Sequence, residues 1–534
     1  MGSSNTQPEA SATSTIVATD HIVPVRWSDS HFRVAYDYSF RFEDVLDPVV
    51  LRAALDRLIQ IRGWRKIGAR LRLNSSGGLD YHIPAEFSEE RRPFLFTTEK
   101  HNMCISEHPI LSQLPPTYNY KQKSNKGLKV FDGHQDICRE HLRHRDAPGM
   151  FEDWLQRDVP QLAFHVICFQ DTTFVTMTGP HTLFDASGIM AVMNAWAAIL
   201  RGDEASIPPF FGYDADEDPL KNLHEGVPPS KYMHSDKLVQ GTCAQNVPPP
   251  EVEALFVSIP AQYVERLREA ARDELAKESK GNDRPWISDS DALSSWWARI
   301  TLKAHNPSPN RSVAFINMFE YRDVLAKMGR LPAPDVVFLG NVIYASTTLF
   351  RAGKLLTDTL GSVAMKIRDS VAAHRTPEQI QAQAAMVKHS IETAGRTPVY
   401  GDPDRMIVHY TNWHRVRPFH LDFSPAVIPS KSTNPHKGKP VLMISTPAGN
   451  TRFTIPNSTL ILGKDNSKTW WMKVWLGKTE WARVKEMLES LDIVEAMKRN
   501  NVILVVYFWS KYQLNGRCLL SDFAFATRTL WFGL

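Results

Sequence analysis

Apolar residues recur along this chain with two periods, and the points where the period changes mark its elements. Between Val45 and Ile61 the positions Leu51, Ala54, Leu55, Leu58 and Ile59 fall three and four apart, the spacing of one helix face. The stretch Gly68-Ala-Arg-Leu-Arg-Leu, the turn Ser75-Ser-Gly-Gly and then Leu79 to Ile83 predict a hairpin. Gln161 to Gln170 and Thr172 to Met177 are rich in β-branched and aromatic residues, and Gln170-Asp171 serves as the turn of a strand pair. Gly179-Pro180 is expected to break the second strand, with His181 immediately after it. From Gly188 to Leu200 the residues Ile189, Met193, Trp196 and Leu200 share one side of a helix.

The second half alternates in the same way. Ala261 to Ser279 reads as a charge-paired amphipathic helix, and Asp289 to Ile300 as a helix capped by Ser288 or Asp289. Ser312 to Phe319 is a strand leading into Glu320-Tyr-Arg322. Helices are expected near Leu355 to Ala373 and Pro377 to Thr393 after the Gly340-Asn341 turn. Residues 440 to 447 and 469 to 476 read as strands and Glu480 to Lys498 as a closing helix. This alternation predicts an α/β or α+β chain in which each half has its own sheet.

The expected organisation is a disordered start (1–20), an N-terminal domain (21–202), a Pro-, Asp- and Gly-rich crossover ending in Pro248-Pro-Pro (203–250), a C-terminal domain (251–498) and a tail (499–534). No apolar run approaches the roughly 20 residues of a membrane-spanning helix; Val502 to Trp509 is less than half as long.

Composition narrows the function. Over 534 residues, 43% hydrophobic and 10% aromatic content is ample for a large core. A net charge of +4 argues against a nucleic-acid binder. Five scattered cysteines without a C-x-x-C pair fit reduced thiols in a cytoplasmic protein. The start also fits a loose myristoylation pattern at Gly2 and Thr6, an anchor that alone holds a membrane marginally. The sequence has no Walker A loop, HExxH, GxSxG elbow or GxGxxG helix start, so metal chemistry and serine hydrolysis find no motif.

What remains is His181-Thr-Leu-Phe-Asp185-Ala-Ser-Gly188. With 19 histidines about one HxxxD is expected by chance, so the letters alone also fit a satisfied histidine at a strand end. The setting carries more: a buried-type strand, a Gly-Pro pair, a short loop and a helix, which hold a side chain both exposed and still.

This segment resembles the HxxxD motif of the BAHD and fungal trichothecene-acetyltransferase-like acyltransferases, which share the chloramphenicol-acetyltransferase-like fold with condensation domains. Further pieces match in order between about residues 35 and 498. Gly68-Ala-Arg70-Leu-Arg72 is similar to the family's "GRLR" strand, and Ile287-Ser-Asp-Ser-Asp291-Ala-Leu to the start of a second-domain helix. Asn317-Met-Phe-Glu-Tyr-Arg322 resembles the strand ending in the family's arginine, and Gly340-Asn341 its GN turn. Thr411-Asn-Trp413 and Asp422-Phe-Ser-Pro-Ala426 resemble the T-x-W and DFGWG region, the latter without its glycines. A proline in place of a second histidine before His181 favours a free-standing enzyme.

The resemblance implies two such domains with the active-site channel between them. It implies an acyl-CoA co-substrate, no permanently bound cofactor or metal, and a small, secondary-metabolite acceptor. It further implies His181 as the general base that activates an acceptor hydroxyl or amine, with Thr411 and Trp413 near the oxyanion. Asp185 then pairs with Arg322 away from the chemistry, and Gly188 and Asp422 support the site structurally. The chain is expected to act as a monomer. Two other classes fit the same residues. One is a non-catalytic small-molecule-binding relative; the other is a condensation-like enzyme that takes acyl groups from carrier-protein thioesters. Thioester consumption with free CoA derivatives separates the three.

Overall fold

A computed structural model describes residues 17–115, 127–131, 135–239, 251–279, 285–429, 434–448 and 455–499. The chain divides into two units, Met1–Val484 and Lys485–Leu534. Of the second, residues 485–499 are helical and form the end of the helix Lys478–Arg499. The apolar run Val502 to Trp509, the tail beyond 499, and the myristoylation pattern lie outside the described residues. All that follows concerns the first unit.

Among the described residues the strands follow in this order: β1 (His21–Pro24), β2 (Ala35–Phe42), β3 (Arg70–Leu73), β4 (Leu79–Ile83), β5 (Leu95–Lys100), β6 (Lys129–Phe131), β7 (Ala163–Cys168), β8 (Thr173–Pro180), β9 (Val252–Pro260), β10 (Ser312–Glu320), β11 (Ile343–Arg351), β12 (Met406–Asn412), β13 (Pro440–Pro447), β14 (Ser458–Lys464) and β15 (Thr469–Gly477). They build three sheets, ordered β1-β4-β3, β13-β2-β8-β7-β5 and β11-β10-β12-β14-β15-β9-β6.

Two of these strands change the expected picture of one sheet per half. β13, from the late chain, pairs antiparallel with β2 and so completes the five-stranded sheet built otherwise from residues before 181. β6, from the early chain, pairs with β9 at the edge of the seven-stranded sheet. Each leaves its own stretch of sequence because the free edge it covers would otherwise expose a row of unpaired backbone groups. β11, which the sequence reading left out, follows the Gly340-Asn341 turn and pairs antiparallel with β10.

β8 also differs from expectation. It runs through Gly179 and Pro180, which pair with Tyr36 and Ala35 of β2. Proline has no N–H to give, and here it is the last residue of its strand, where that loss is least disruptive. The disorder expected for residues 1–20 does not extend over residues 17–20, and residues 1–16 lie outside the described residues. Asp20 is buried, and its two carboxylate oxygens accept from Arg91 at 2.9 and 2.8 Å.

The large core lies between the five-stranded sheet and the helices Pro48–Leu58 and Ala186–Leu200. The first helix is capped by Asp47, whose side chain accepts from Val49 N at 2.8 Å, and carries Pro48 at its first turn, where the missing N–H costs nothing. Its Leu51, Ala54, Leu55 and Leu58 are buried, the same face read from the sequence. The two helices are also joined by Trp196, whose indole N–H donates to Leu51 O at 3.0 Å. Within the second half, Asp289–His305 is a longer helix than expected, capped by Ser288 through a reciprocal bond with Asp291.

The segment resembling DFGWG closes on the same core. Phe423 is fully buried, stacked on Phe42 at 5.4 Å and edge-on to Trp196 at 5.0 Å. The glycine that this stretch lacks is supplied from a distance. Gly438, at φ +66°, lies so close that a Cβ would sit 2.2 Å from Ser424 N, and its carbonyl accepts from Phe423 N at 2.9 Å. Asp422 accepts from Ser424 N at 3.0 Å and has no place in the cavity described next.

Candidate active site

A cavity of about 1420 Å³ opens where β2, β12 and β13 meet the ends of β10, β14 and β15, and His181, Asp185, Thr411 and Trp413 all line it. His181 reaches it from the turn between β8 and the helix Ala186–Leu200.

The turn is bonded at almost every backbone group. His181 N donates to Val34 O at 2.7 Å, Leu183 N to Pro180 O at 3.1 Å and Asp185 N to Leu339 O at 3.4 Å. Asn341 Nδ2 donates to His181 O at 2.8 Å, and Tyr81 Oη to Thr182 O at 2.7 Å. Asn341 is held in turn by Asp29, whose Oδ1 accepts from its N at 2.8 Å and its Nδ2 at 2.9 Å. Asp29 is buried, with Arg26 at 3.6 Å. Neither Asp29 nor the role of Asn341 was visible in the sequence, because their partners are over 150 residues away.

The His181 ring is stacked on Phe32 (4.8 Å, 17°) and meets Tyr36 edge-on (5.7 Å). From Tyr36 the contacts pass to Tyr38 (5.9 Å) and from Tyr38 to Trp413 (6.0 Å), so one face of β2 walls the cavity between the two predicted residues. Nδ1 of His181 is shut away from solvent with no well-formed hydrogen bond among the described residues. Its own backbone carbonyl and the Asn341 side chain act on the ring. Burial pulls the imidazole below its ordinary value; the residue's own carbonyl, Asp185, Asp29 and Asn341 oppose the pull without cancelling it. Burial thus favours the neutral ring, and with Nδ1 shut away Nε2 is the nitrogen left to face the cavity that His181 lines.

Asp185 is the N-cap of the following helix, accepting from Gly188 N at 3.0 Å. Arg322 closes a bidentate pair with it, Nη1 to Oδ2 and Nη2 to Oδ1, both at 2.9 Å. Val342 N adds a fourth donor at 3.0 Å. Gly188 has a steric reason to be glycine: a Cβ there would lie 2.3 Å from Leu339 O and 2.7 Å from Phe184 Cβ. The helix start can thus press against the 339–342 turn that also holds His181.

Thr411 and Trp413 come from β12 and its end, where Trp413 N donates to Ile461 O at 2.8 Å. The cavity is otherwise lined mainly by aromatic and apolar groups, among them Phe32, Met318, Leu460 and Trp475. Basic side chains also border it: Lys327, Arg375 and Arg368, the last lying over the Trp286 ring at 4.1 Å. Among the described residues no group of three or more His, Cys, Asp or Glu is placed to hold a metal ion, and no helix is long and apolar enough to cross a membrane.

Comparison with known proteins agrees with this geometry. A family model described as the Transferase family matches residues 152–451. A Sordaria araneosa protein named transcriptional regulator sdnM is 38% identical, over 89% of this chain and 98% of its own. Acetyltransferase adrJ of Penicillium rubens is 33% identical, over 91% of this chain and 99% of its own. The crystal structure of F. sporotrichioides TRI101 complexed with coenzyme A and T-2 shares the fold with a TM-score of 0.60 at 15% identity, over 86% of this chain and 96% of that one. The chain belongs to the Transferase family, and it is an acyltransferase.

Proposed function

We propose that this Transferase-family chain moves an acyl group from acyl-CoA to a hydroxyl or amine of a small, largely apolar acceptor, with His181 as the general base. The observation that carries the reading is an imidazole held on a bonded turn at the wall of a large cavity, where burial favours its neutral form. Nε2 takes the proton from the acceptor O–H or N–H as that atom attacks the thioester carbonyl. The C–S bond then breaks, and the imidazolium returns its proton to the leaving CoA thiolate. A positioned base of this kind contributes about 10²–10⁴-fold. Thr411, through its hydroxyl, and Trp413, which line the same cavity, are assigned to the carbonyl oxygen as it gains charge; one such donor is worth roughly 10²–10³-fold.

Support for CoA as the donor comes from the coenzyme A bound by TRI101; of the basic side chains at the cavity border, Arg368 and Arg375 are already paired with Asp291 and Asp323, which leaves Lys327 as the candidate for a phosphate. The name transcriptional regulator, carried by two of the relatives, has no counterpart in the charge of this chain, which is only +4 over 534 residues.

The test is CoA release from acetyl-CoA against a panel of alcohols and amines. His181→Ala should abolish release and leave the melting temperature unchanged. Wild-type rates in that variant would end this mechanism.

A further inference from the structure

A second imidazole faces the same cavity with no role in the chemistry above. β12 places His409 two residues before Thr411, so both side chains leave one face of the seven-stranded sheet. In the register His409 pairs with Ser458 of β14, and Ser458 with Trp475 of β15. Paired residues share a face, so these three form a row across the cavity floor, beside the row of Thr411 and Leu460.

One polar group in that row is buried without a partner, and the half-buried imidazole of His409 stands beside it. Ser458 is 9% exposed, and its Oγ has no hydrogen-bond partner among the described residues. His409 bonds through its backbone, N to Asn457 O at 3.0 Å, while its ring is pulled down to about 4 by burial alone, with no charged neighbour acting on it. Buried polar groups are ordinarily paired, and a hydroxyl left open beside an imidazole on a cavity wall points to a ligand that completes it.

We propose that His409 and Ser458 form a two-point subsite for an uncharged carbonyl oxygen of a bound substrate. One carbonyl oxygen has two lone pairs, and the row offers two donors, the imidazole N–H and the serine O–H. A carboxylate is disfavoured, because no cation lies beside His409 to meet its charge. The carbonyl can belong to the acceptor or to an amide of the pantetheine arm of CoA. The inference rests on the reading of this cavity as the acyl-transfer site.

Calorimetric binding to the His181→Ala protein separates recognition from turnover. The ligands are free CoA, a rigid steroid keto-alcohol, and the matching alcohol without the ketone. His409→Leu and Ser458→Ala should each weaken either CoA or the keto-alcohol by roughly tenfold, the usual worth of one good hydrogen bond, and leave the mono-alcohol unchanged. Weakened CoA binding assigns the site to pantetheine, and weakened keto-alcohol binding assigns it to the acceptor. His409→Gln, which keeps an N–H donor, should recover part of the loss; a general loss of folding would not be recovered in this selective way. Unchanged affinity for both carbonyl ligands in both variants overturns the proposal. Persistent CoA release by His181→Ala would instead refute the base assignment, and the binding comparison would still stand.

Discussion

Removing the Asp185 carboxylate should damage activity through the loop rather than through the chemistry. The carboxylate receives four bonds of 2.9–3.0 Å, two from Arg322 and one each from Gly188 N and Val342 N. Asp185→Ala leaves a guanidinium and two amides short of partners in a site where the aspartate is 1% exposed. Breaking one side of a buried pair costs about 3–5 kcal/mol. Arg322 keeps Glu320 at 3.2 Å and the carbonyls of Phe338 and Gly340, which places the loss near the lower end, about 3 kcal/mol. With an unfolding entropy of about 2.1 cal/mol/K per residue over roughly 400 residues, that is a fall of about 3–4 °C in melting temperature. The turn carrying His181 would shift as well, and a displacement near 1 Å lowers turnover by about 10²-fold. Calorimetry and CoA release measured on Asp185→Ala, Arg322→Met and the double variant form the assay. The double variant should cost at least about 1 kcal/mol less than the sum of the singles, since it removes the orphaned charge. Strict additivity, or wild-type stability and turnover in Asp185→Ala, would refute the reasoning.

Because the neutral imidazole is the working form and burial lowers its proton affinity, the acid limb of kcat/KM should lie below the ordinary histidine value of 6.5; a limb above it speaks against His181 as base. Thr411→Val keeps the β-branched shape in β12 and should lower kcat by roughly 10²-fold at constant melting temperature, while an unchanged kcat removes Thr411 from the oxyanion site. Gly188→Ala should destabilise by about 1–3 kcal/mol through the contact with Leu339 O, and normal stability would show that the helix start can move aside. His374 is buried and drawn down to about 4. The unfolded chain therefore binds its proton first, and the stability it contributes is complete above about 6.5 and lost as pH falls toward 4. His374→Leu should narrow the gap between urea midpoints at pH 7 and pH 4.5, and an equal gap would exclude this source.

The helices and the β7–β8 pair were legible because each repeats a local period: Leu51, Ala54, Leu55 and Leu58 mark a face whatever packs on it. β11 was not. Its Ser346, Thr347 and Thr348 are buried on the sheet yet polar in letter, so no apolar alternation announced it. The exchange of β13 and β6 was equally invisible, since pairing Met443 with Phe40 joins residues 403 apart and register is a long-range property. His181 stood out through its Gly-Pro-bounded loop and Asp185 through its offset. Asp29 and His409 carry no local mark, and only the packed sheets show what they face.

The spacing of the motif explains why its two titratable residues do not act as a dyad. His181 ends a strand and Asp185 caps the next helix, so the turn between them directs the carboxylate at the helix amides and at Arg322. A carboxylate has about four acceptor positions, and here all four are filled by donors other than the imidazole. Asp185 can therefore act on the ring only through space, by its charge. The backbone group acting on the ring is the residue's own carbonyl, which raises its proton affinity while Nδ1 makes no well-formed hydrogen bond among the described residues. That carbonyl is clamped by Asn341, and Asn341 by the buried Asp29. Orientation of the base is thus a backbone property of the turn, secured by a residue near the start of the chain and another 160 residues beyond the histidine.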